Sequence, residues 1–309
     1  MINIYLPVAL TSINVFLPAL AGFSVGILSG LFGVGGGWLM TPLLMMMGIN
    51  PVVAAGTDAN QIVAASASGC YAHWRRGNVD FKLGFHLLIG SFSGGLLGVQ
   101  LVKILRAMGN ADILIKLCYV VMLGIIGTLM FFESLSALRK KDNEKHQQKP
   151  SQKNGGFKQT LKNLPLQTFY SKAQIHQSII TTISLGFVVG ILAAIMGVGG
   201  GFLMVPVMVY LLDVPMHVVV GTSLFIVLFT CVEVTILQAV MNHAVDIILA
   251  ILLLLGSTIG AQIGTTIGAK LKGEQLRIIL ACIVLLVTIK MILGLTLTPS
   301  IFIAPKGGH

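Results

Sequence analysis

Residues 22 to 42 of this 309-residue chain recur at residues 186 to 206. Gly22-Phe-Ser-Val-Gly-Ile-Leu-Ser-Gly-Leu-Phe-Gly-Val-Gly-Gly-Gly-Trp-Leu-Met-Thr-Pro42 aligns with Gly186-Phe-Val-Val-Gly-Ile-Leu-Ala-Ala-Ile-Met-Gly-Val-Gly-Gly-Gly-Phe-Leu-Met-Val-Pro206, and 14 of those 21 positions are identical. The matches continue downstream with shifts of one or two residues. Pro51 faces Pro215, Gly56-Thr57 faces Gly221-Thr222, Val79-Asp80 faces Val245-Asp246, and Gly90, Gly94 and Gly98 face Gly256, Gly260 and Gly264. Whatever unit one half forms, the chain therefore forms twice. The expected division is a first repeat over 1–135, a linker over 136–176 and a second repeat over 177–309.

Both repeats consist of apolar runs of about twenty residues, enough for a helix to cross hydrocarbon at 1.5 Å per residue. With 55% hydrophobic and 10% charged residues, the chain reads as an all-α integral membrane protein in contact with the lipid bilayer. A transmembrane barrel would need alternating strands of roughly ten residues instead. The N-terminus carries no basic n-region, so the first apolar run is not read as a cleaved signal peptide. Cys70, Cys118, Cys231 and Cys282 lie in apolar runs without close pairing and read as buried thiols.

Each repeat is expected to hold four long transmembrane helices and one short one after a glycine-rich break. The apolar segments fall near 12–32, 38–49, 51–73, 83–103 and 114–132, then near 178–196, 202–213, 215–240, 246–268 and 277–297. Of the net charge of +10, the stretch Ser134 to His176 supplies +7, with nine Lys or Arg against Asp142 and Glu144. A basic loop between apolar helices marks the cytoplasmic face rather than a nucleic-acid surface, and its composition suggests poor order. If the short helix still carries the chain across with help from its neighbours, each half has five passes and the halves are inverted, with Arg75, Arg76, Lys82, Lys270, Lys272 and Arg277 all inside. If it is a re-entrant hairpin, each half has four passes and the halves are parallel. A parallel arrangement would put two basic loops outside, so the inverted one is favoured.

Gly33, Gly35, Gly36 and Gly37, matched by Gly197, Gly199, Gly200 and Gly201, are the strongest local signals. Four glycines in five residues break a helix, and an unwound backbone survives in a membrane only where protein or a water-filled cavity receives it. The short helix that follows leaves its first N–H groups unpaired and its positive end at the break, where an anion is attracted. Such paired interruptions point to a transporter's midplane site. The glycines spaced by four, at 22, 26 and 30, at 90, 94 and 98, and from 256 to 268, read as seams for close helix packing. Seams of this kind serve chains and pairs of chains alike, so a homo-oligomer stays open.

Polar residues downstream of each break complete the candidate substrate-binding set: Thr57, Asn60 and Gln61 in the first half, Thr222 and Ser223 in the second. Their hydroxyl and amide donors would complement backbone N–H groups around an oxyanion. Asp58 and Glu233 are ionisable groups well inside apolar helices, which makes them candidates for carrying a coupling proton; for the transporter as a whole, proton or sodium coupling stays open. Each faces a neutral residue in the other repeat, Ser223 and Ser68 respectively. His73, Asp80, Asp213, His217, His243 and Asp246 lie at expected helix ends, where solvation explains them, and Lys290 is expected to snorkel outward. No pattern for catalysis, a metal or a cofactor is present, so an enzyme is not expected. A membrane-embedded enzyme or an anion channel remains the alternative.

The doubled Gly-x-Gly-Gly-Gly followed five residues on by Pro42 or Pro206 resembles the motif of the TauE/SafE family, also called the 4-toluene sulfonate uptake family. The resemblance covers nearly the whole chain. It implies a multi-pass transporter of the prokaryotic plasma membrane, commonly an exporter, for small sulfur-containing anions such as sulfite, sulfoacetate or other sulfonates. The basic linker is longer than the resemblance leads one to expect.

Overall fold

The computed structural model describes residues 3–32, 35–109, 111–141, 165–268 and 282–293. Each half opens with a β-hairpin that the sequence reading did not anticipate. β1 (Asn3–Leu6) pairs antiparallel with β2 (Thr11–Asn14). Offset by 164, β3 (Gln167–Tyr170) pairs antiparallel with β4 (Ile175–Ser178). The architecture is otherwise helical, so the all-α expectation is corrected only at these two hairpins. The second of them lies largely within the stretch expected to be a poorly ordered linker; residues 142–164 of that stretch are outside the described residues.

The first half continues with α1 (Phe16–Phe32), the short α2 (Gly37–Met46), α3 (Pro51–Arg75), α4 (Phe81–Ala107) and α5 (Ala111–Lys141). The second has α6 (Ile179–Met196), the short α7 (Gly201–Pro206) running into a π-turn (Val207–Leu211), α8 (Met216–Asn242), α9 (Ile247–Gly268) and α10 (Cys282–Leu293). Start signals are local. Asn50 caps α3 by accepting from Val52 N–H at 2.9 Å, with Pro51 at the first helical position, and Ser178 caps α6 through Ile180 N–H at 3.2 Å. Among the described residues, five helices are long and apolar enough to cross a membrane: α4, the Ala111–Leu129 part of α5, α6, α8 and α9.

The glycine seams join the halves crosswise. A methyl group on Gly22 would lie 2.6 Å from the Leu253 carbonyl oxygen, one on Gly26 2.6 Å from the Ser257 Cα, and one on Gly30 2.8 Å from the Thr265 nitrogen. The partner residue rises with the glycine, so α1 and α9 run parallel with their backbones touching. Gly90, Gly94 and Gly98 of α4 meet the backbones of Ile183, Phe187 and Ile191 of α6 in the same sense. Both seams lie within one chain. α1 and α4 thus each pack on a helix of the other half.

Loops gather at two ends. The β1–β2 turn, Asn50, and Gly109 and Asp112 of the α4–α5 loop share a cleft at one end. At the other, β4 residues His176 and Gln177 share a cleft with Asp213, beyond the π-turn, and the Lys172 ammonium lies by Gly77 after α3. The 25-residue α3 runs between them and is about 37 Å long. α2 leaves the break and returns to the end from which α1 entered, since Asn50 lies beside the β1–β2 turn.

Replacing Gly26 or Gly94 by Ala is expected to destabilise the protein by about 3 kcal/mol, the upper end of overpacking costs, because backbone atoms meet the new methyl and cannot swing aside. Gly124→Ala is the control: its methyl would meet nothing nearer than Thr288 Cγ2 at 3.8 Å, so stability should hold or rise. Reversible unfolding in mixed micelles measures both.

Candidate functional site

The two breaks have matching backbones. Gly35 and Gly36 have φ of 86° and 72°, and Gly199 and Gly200 have 68° and 81°, left-handed values open to glycine at little cost. Gly33 lies outside the described residues, while its counterpart Gly197 ends α6 at φ 71°. The breaks also meet in space. A methyl on Gly37 would lie 3.0 Å from the Val198 Cα, and Val227 of α8 packs against both Gly35 and Gly199. Trp38 and Phe202, equivalent residues in the first turns of the short helices, stack with ring centroids 5.4 Å apart and are buried. The N-terminal ends of α2 and α7 therefore converge, and no side-chain hydrogen bond caps Gly36 or Gly200.

Side chains from other helices receive the interrupted backbone. The Tyr119 hydroxyl of α5 donates to the Met196 carbonyl at 2.6 Å, and the Thr230 hydroxyl of α8 donates to the Gly199 carbonyl at 2.8 Å. These answer carbonyls left over where α6 ends. Neither residue was singled out in the sequence, because an isolated Tyr or Thr in an apolar run looks like core.

A polar cluster lies against the first break only. Asp58 is fully buried; its Oδ2 accepts from the Thr41 hydroxyl at 2.7 Å and its Oδ1 from Gln61 Nε2 at 2.9 Å. A methyl on Gly37 would stand 3.1 Å from Asp58 Oδ2, which puts the carboxylate beside the first turn of α2. Gln61 Oε1 and Ser66 Oγ are buried without a hydrogen-bond partner among the described residues, and Ser66 Oγ is 3.8 Å from where a methyl on Gly35 would be. Asn60, half-buried, stands next to this group on α3. The equivalent positions in the second half are Val205, Ser223, Ile226 and Cys231. Ser223 is buried and donates to the Val220 carbonyl of its own helix at 3.0 Å. Thr41 and Ser66 escaped the sequence reading for want of any local pattern.

Thr57 and Thr222 sit elsewhere. Thr57 Oγ1 accepts from the Asp246 N–H at 3.0 Å, and Thr222 Oγ1 from the Asp80 N–H at 3.0 Å. Gly56 and Gly221 lie against the Ala244 and Asn78 carbonyls of the same two loops. The Gly-Thr pair of each half is thus a seat for the other half's Val-Asp loop, away from the glycine breaks. Boundary solvation does not explain Asp80 and Asp246, which are 2% and 0% exposed. Asp246 Oδ1 accepts from Leu249 N–H at 3.2 Å, and its Oδ2 from Val8 and Ala9 N–H at 3.0 and 3.3 Å. Asp80 repeats this with Leu83 at 3.1 Å and with Lys172 and Ala173 at 3.0 and 3.1 Å. Each carboxylate caps a helix and clamps a hairpin of the opposite half. Glu233 lies in the α4–α8 seam, where the missing side chain of Gly95 leaves room for its carboxyl, and neither oxygen has a partner among the described residues. Lys290 is exposed.

Two interrupted helices meeting among long apolar ones mark a multi-pass membrane protein of the transporter class, and the comparisons agree. Residues 18–291 match the family model described as sulfite exporter TauE/SafE, and the chain belongs to that family. It is 32% identical over 277 residues to the probable membrane transporter protein YjnA of Bacillus subtilis (strain 168), covering 88% of this chain and 98% of that one. To the probable membrane transporter protein YunE of the same organism it is 27% identical, covering 88% and 94%. Sulfite exporter TauE/SafE family protein 1 of Arabidopsis thaliana is 31% identical over 110 residues, 35% of this chain and 24% of that protein. No solved structure matches.

Asp246→Asn is expected to release the first hairpin, because an amide NH2 would replace one carboxylate oxygen and could face the Val8 and Ala9 N–H groups as a donor against donors. Hydrogen exchange should rise over residues 3–14 and stay unchanged over 167–178. Asp80→Asn should give the reverse.

Proposed function

We propose that this chain is a secondary transporter, working as an exporter, for small sulfur-containing anions such as sulfite, sulfoacetate or other sulfonates. Its substrate site is the meeting point of the two glycine breaks, reached alternately from each side of a bacterial plasma membrane. One observation carries the reading: the N-terminal ends of α2 and α7, neither capped by a side chain, converge on a single point inside the bundle. Two helix ends bring their positive partial charge there, although the Gly37 N–H is taken by the Gly35 carbonyl at 2.9 Å, and this favours an oxyanion without a buried Lys or Arg. The family description and the names of the Arabidopsis relatives supply the sulfur class.

The halves are taken as inverted repeats. α1 and α2 enter and leave at one end and α3, α4 and α5 each cross, so a half begins and finishes on opposite sides. Arg75, Arg76, Lys82 and the hairpin at 167–178 then share a side with the basic linker, which is the cytoplasm by the positive-inside rule. Lys82 supports this placing, since its ammonium donates to the Phe169 carbonyl at 3.3 Å. Gly33, Gly35, Gly36 and Gly37 with Gly197, Gly199, Gly200 and Gly201 form the backbone of the site, and Asn60, Gln61 and Ser223 flank it. Thr57 and Thr222 serve the loops. The two buried carboxyls, Asp58 beside the first break and Glu233 in the α4–α8 seam, are the candidates for carrying a coupling proton, with sodium the other ion open to the transporter.

Proteoliposomes holding the purified protein should accumulate radiolabelled sulfite, sulfoacetate or taurine above empty vesicles. Gly36→Val and Gly200→Val should abolish this while leaving insertion intact, because a branched side chain is strained at φ of 72° and 81°. Wild-type flux in both variants would overturn the break as the site.

A further inference from the structure

The two breaks share a backbone but differ in charge. Beside the first turn of α2 lies a buried carboxylate, Asp58, whose hydrogen-bond partners are the neutral Thr41 and Gln61. The titratable groups closest in effect are the Tyr119 hydroxyl from α5 and the Cys231 thiol from α8. No cation pairs with Asp58 among the described residues. Beside the second break the same places hold Val205, Ser223, Ile226 and Cys231, so of these four positions only the Cys231 thiol is ionisable. An anion drawn to the converging helix ends would meet the Asp58 charge at close range in a site shielded from water. Like charges so placed cannot both persist, and the relief is a proton on the carboxylate.

Two unpartnered groups show where the anion would be held. The Ser66 hydroxyl, buried and without an acceptor, stands by Gly35 of the break. Gln61 has its NH2 on Asp58 and its Oε1 unpartnered. Turning that amide over lets Oε1 accept the proton of a neutral Asp58 and frees the NH2 as a donor.

Resting on the reading of the breaks as an anion site, we infer that the transported anion binds at the first break, on the α2 end, Ser66 and Gln61, only when Asp58 carries a proton, giving one proton per anion. The proton comes from solvent as the site loads and returns to it as the site empties. Gln61 is a positioning residue that reports the state of Asp58 to the anion. Glu233, in the seam against Gly95, takes no part in this exchange.

The test uses the full chain in detergent, with sulfoacetate as probe, since both its acid groups stay ionised above about pH 6. Wild-type protein should take up about one proton per sulfoacetate bound, read with an indicator dye in weak buffer. Its affinity should fall about tenfold per pH unit above the pH at which Asp58 ionises. Asp58→Asn should bind with an affinity independent of pH and take up no proton. Ser66→Ala should bind about tenfold more weakly with the proton count unchanged, and Glu233→Gln should match wild type. Binding by the wild type without proton uptake from about pH 6 to 9, or uptake retained in Asp58→Asn, overturns the inference and leaves the anion site standing. The wild-type proton count decides even if a variant fails to fold. Absence of sulfoacetate binding to folded wild type at every pH overturns the anion reading itself.

Discussion

A helix interrupted inside hydrocarbon leaves N–H and C=O groups that lipid cannot satisfy, and this chain meets that difficulty twice. The solution is to put the two interruptions together and wall them with protein. Tyr119 and Thr230 reach in to take the loose carbonyls of Met196 and Gly199. Trp38 and Phe202 stack across the junction and are buried. The break can be this closely enclosed because neighbouring helices come within backbone contact along the glycine seams, α1 on α9 and α4 on α6. With side chains on those seams the helices would stand further apart and the junction would open.

The same interlocking shapes the ends. Each half contributes a hairpin, a Gly-Thr seat and a Val-Asp loop, and none is completed within its own half. Asp246 holds the first hairpin and sits on Thr57; Asp80 holds the second and sits on Thr222. A buried carboxylate that accepts three backbone N–H groups is well satisfied, which is why two such charges are tolerated in buried positions. Thr41, Asp58, Gln61 and Ser66 depart from this symmetry. A duplicated scaffold supplies two equivalent helix ends, and one-sided substitutions make one of them polar and ionisable. Chemistry that handles one charge at a time needs only one such copy.

Much was legible from residue order. The apolar runs matched most helices to within a few residues at each boundary: α3 begins at Pro51 as expected, α6 at Ile179 and α9 at Ile247. The hairpins were missed because Asn3–Leu6 and Thr11–Asn14 are too short to carry a pattern, and the turn between them is held by a carboxylate more than two hundred residues away. The same distance hid Asp80 and Asp246, which look like ordinary helix-end residues until the other half folds against them. Thr57 and Thr222 were expected at the breaks because each lies downstream of one and carries a hydroxyl. Position along a helix does not say which face a residue takes, and their hydroxyls accept from loop N–H groups.

What sequence alone determined was the material of the fold: a membrane chain made twice, its glycine interruptions, its packing seams and the isolation of Asp58 in an apolar helix. These follow from hydrophobicity, backbone freedom and spacing, all properties of neighbouring residues. Only the tertiary structure decided which glycine seam meets which helix, that the two breaks face one another, and that Thr41, Gln61 and Ser66 gather with Asp58 on one side. Those outcomes depend on contacts between the halves, and a helix's own sequence does not record what will lie against it.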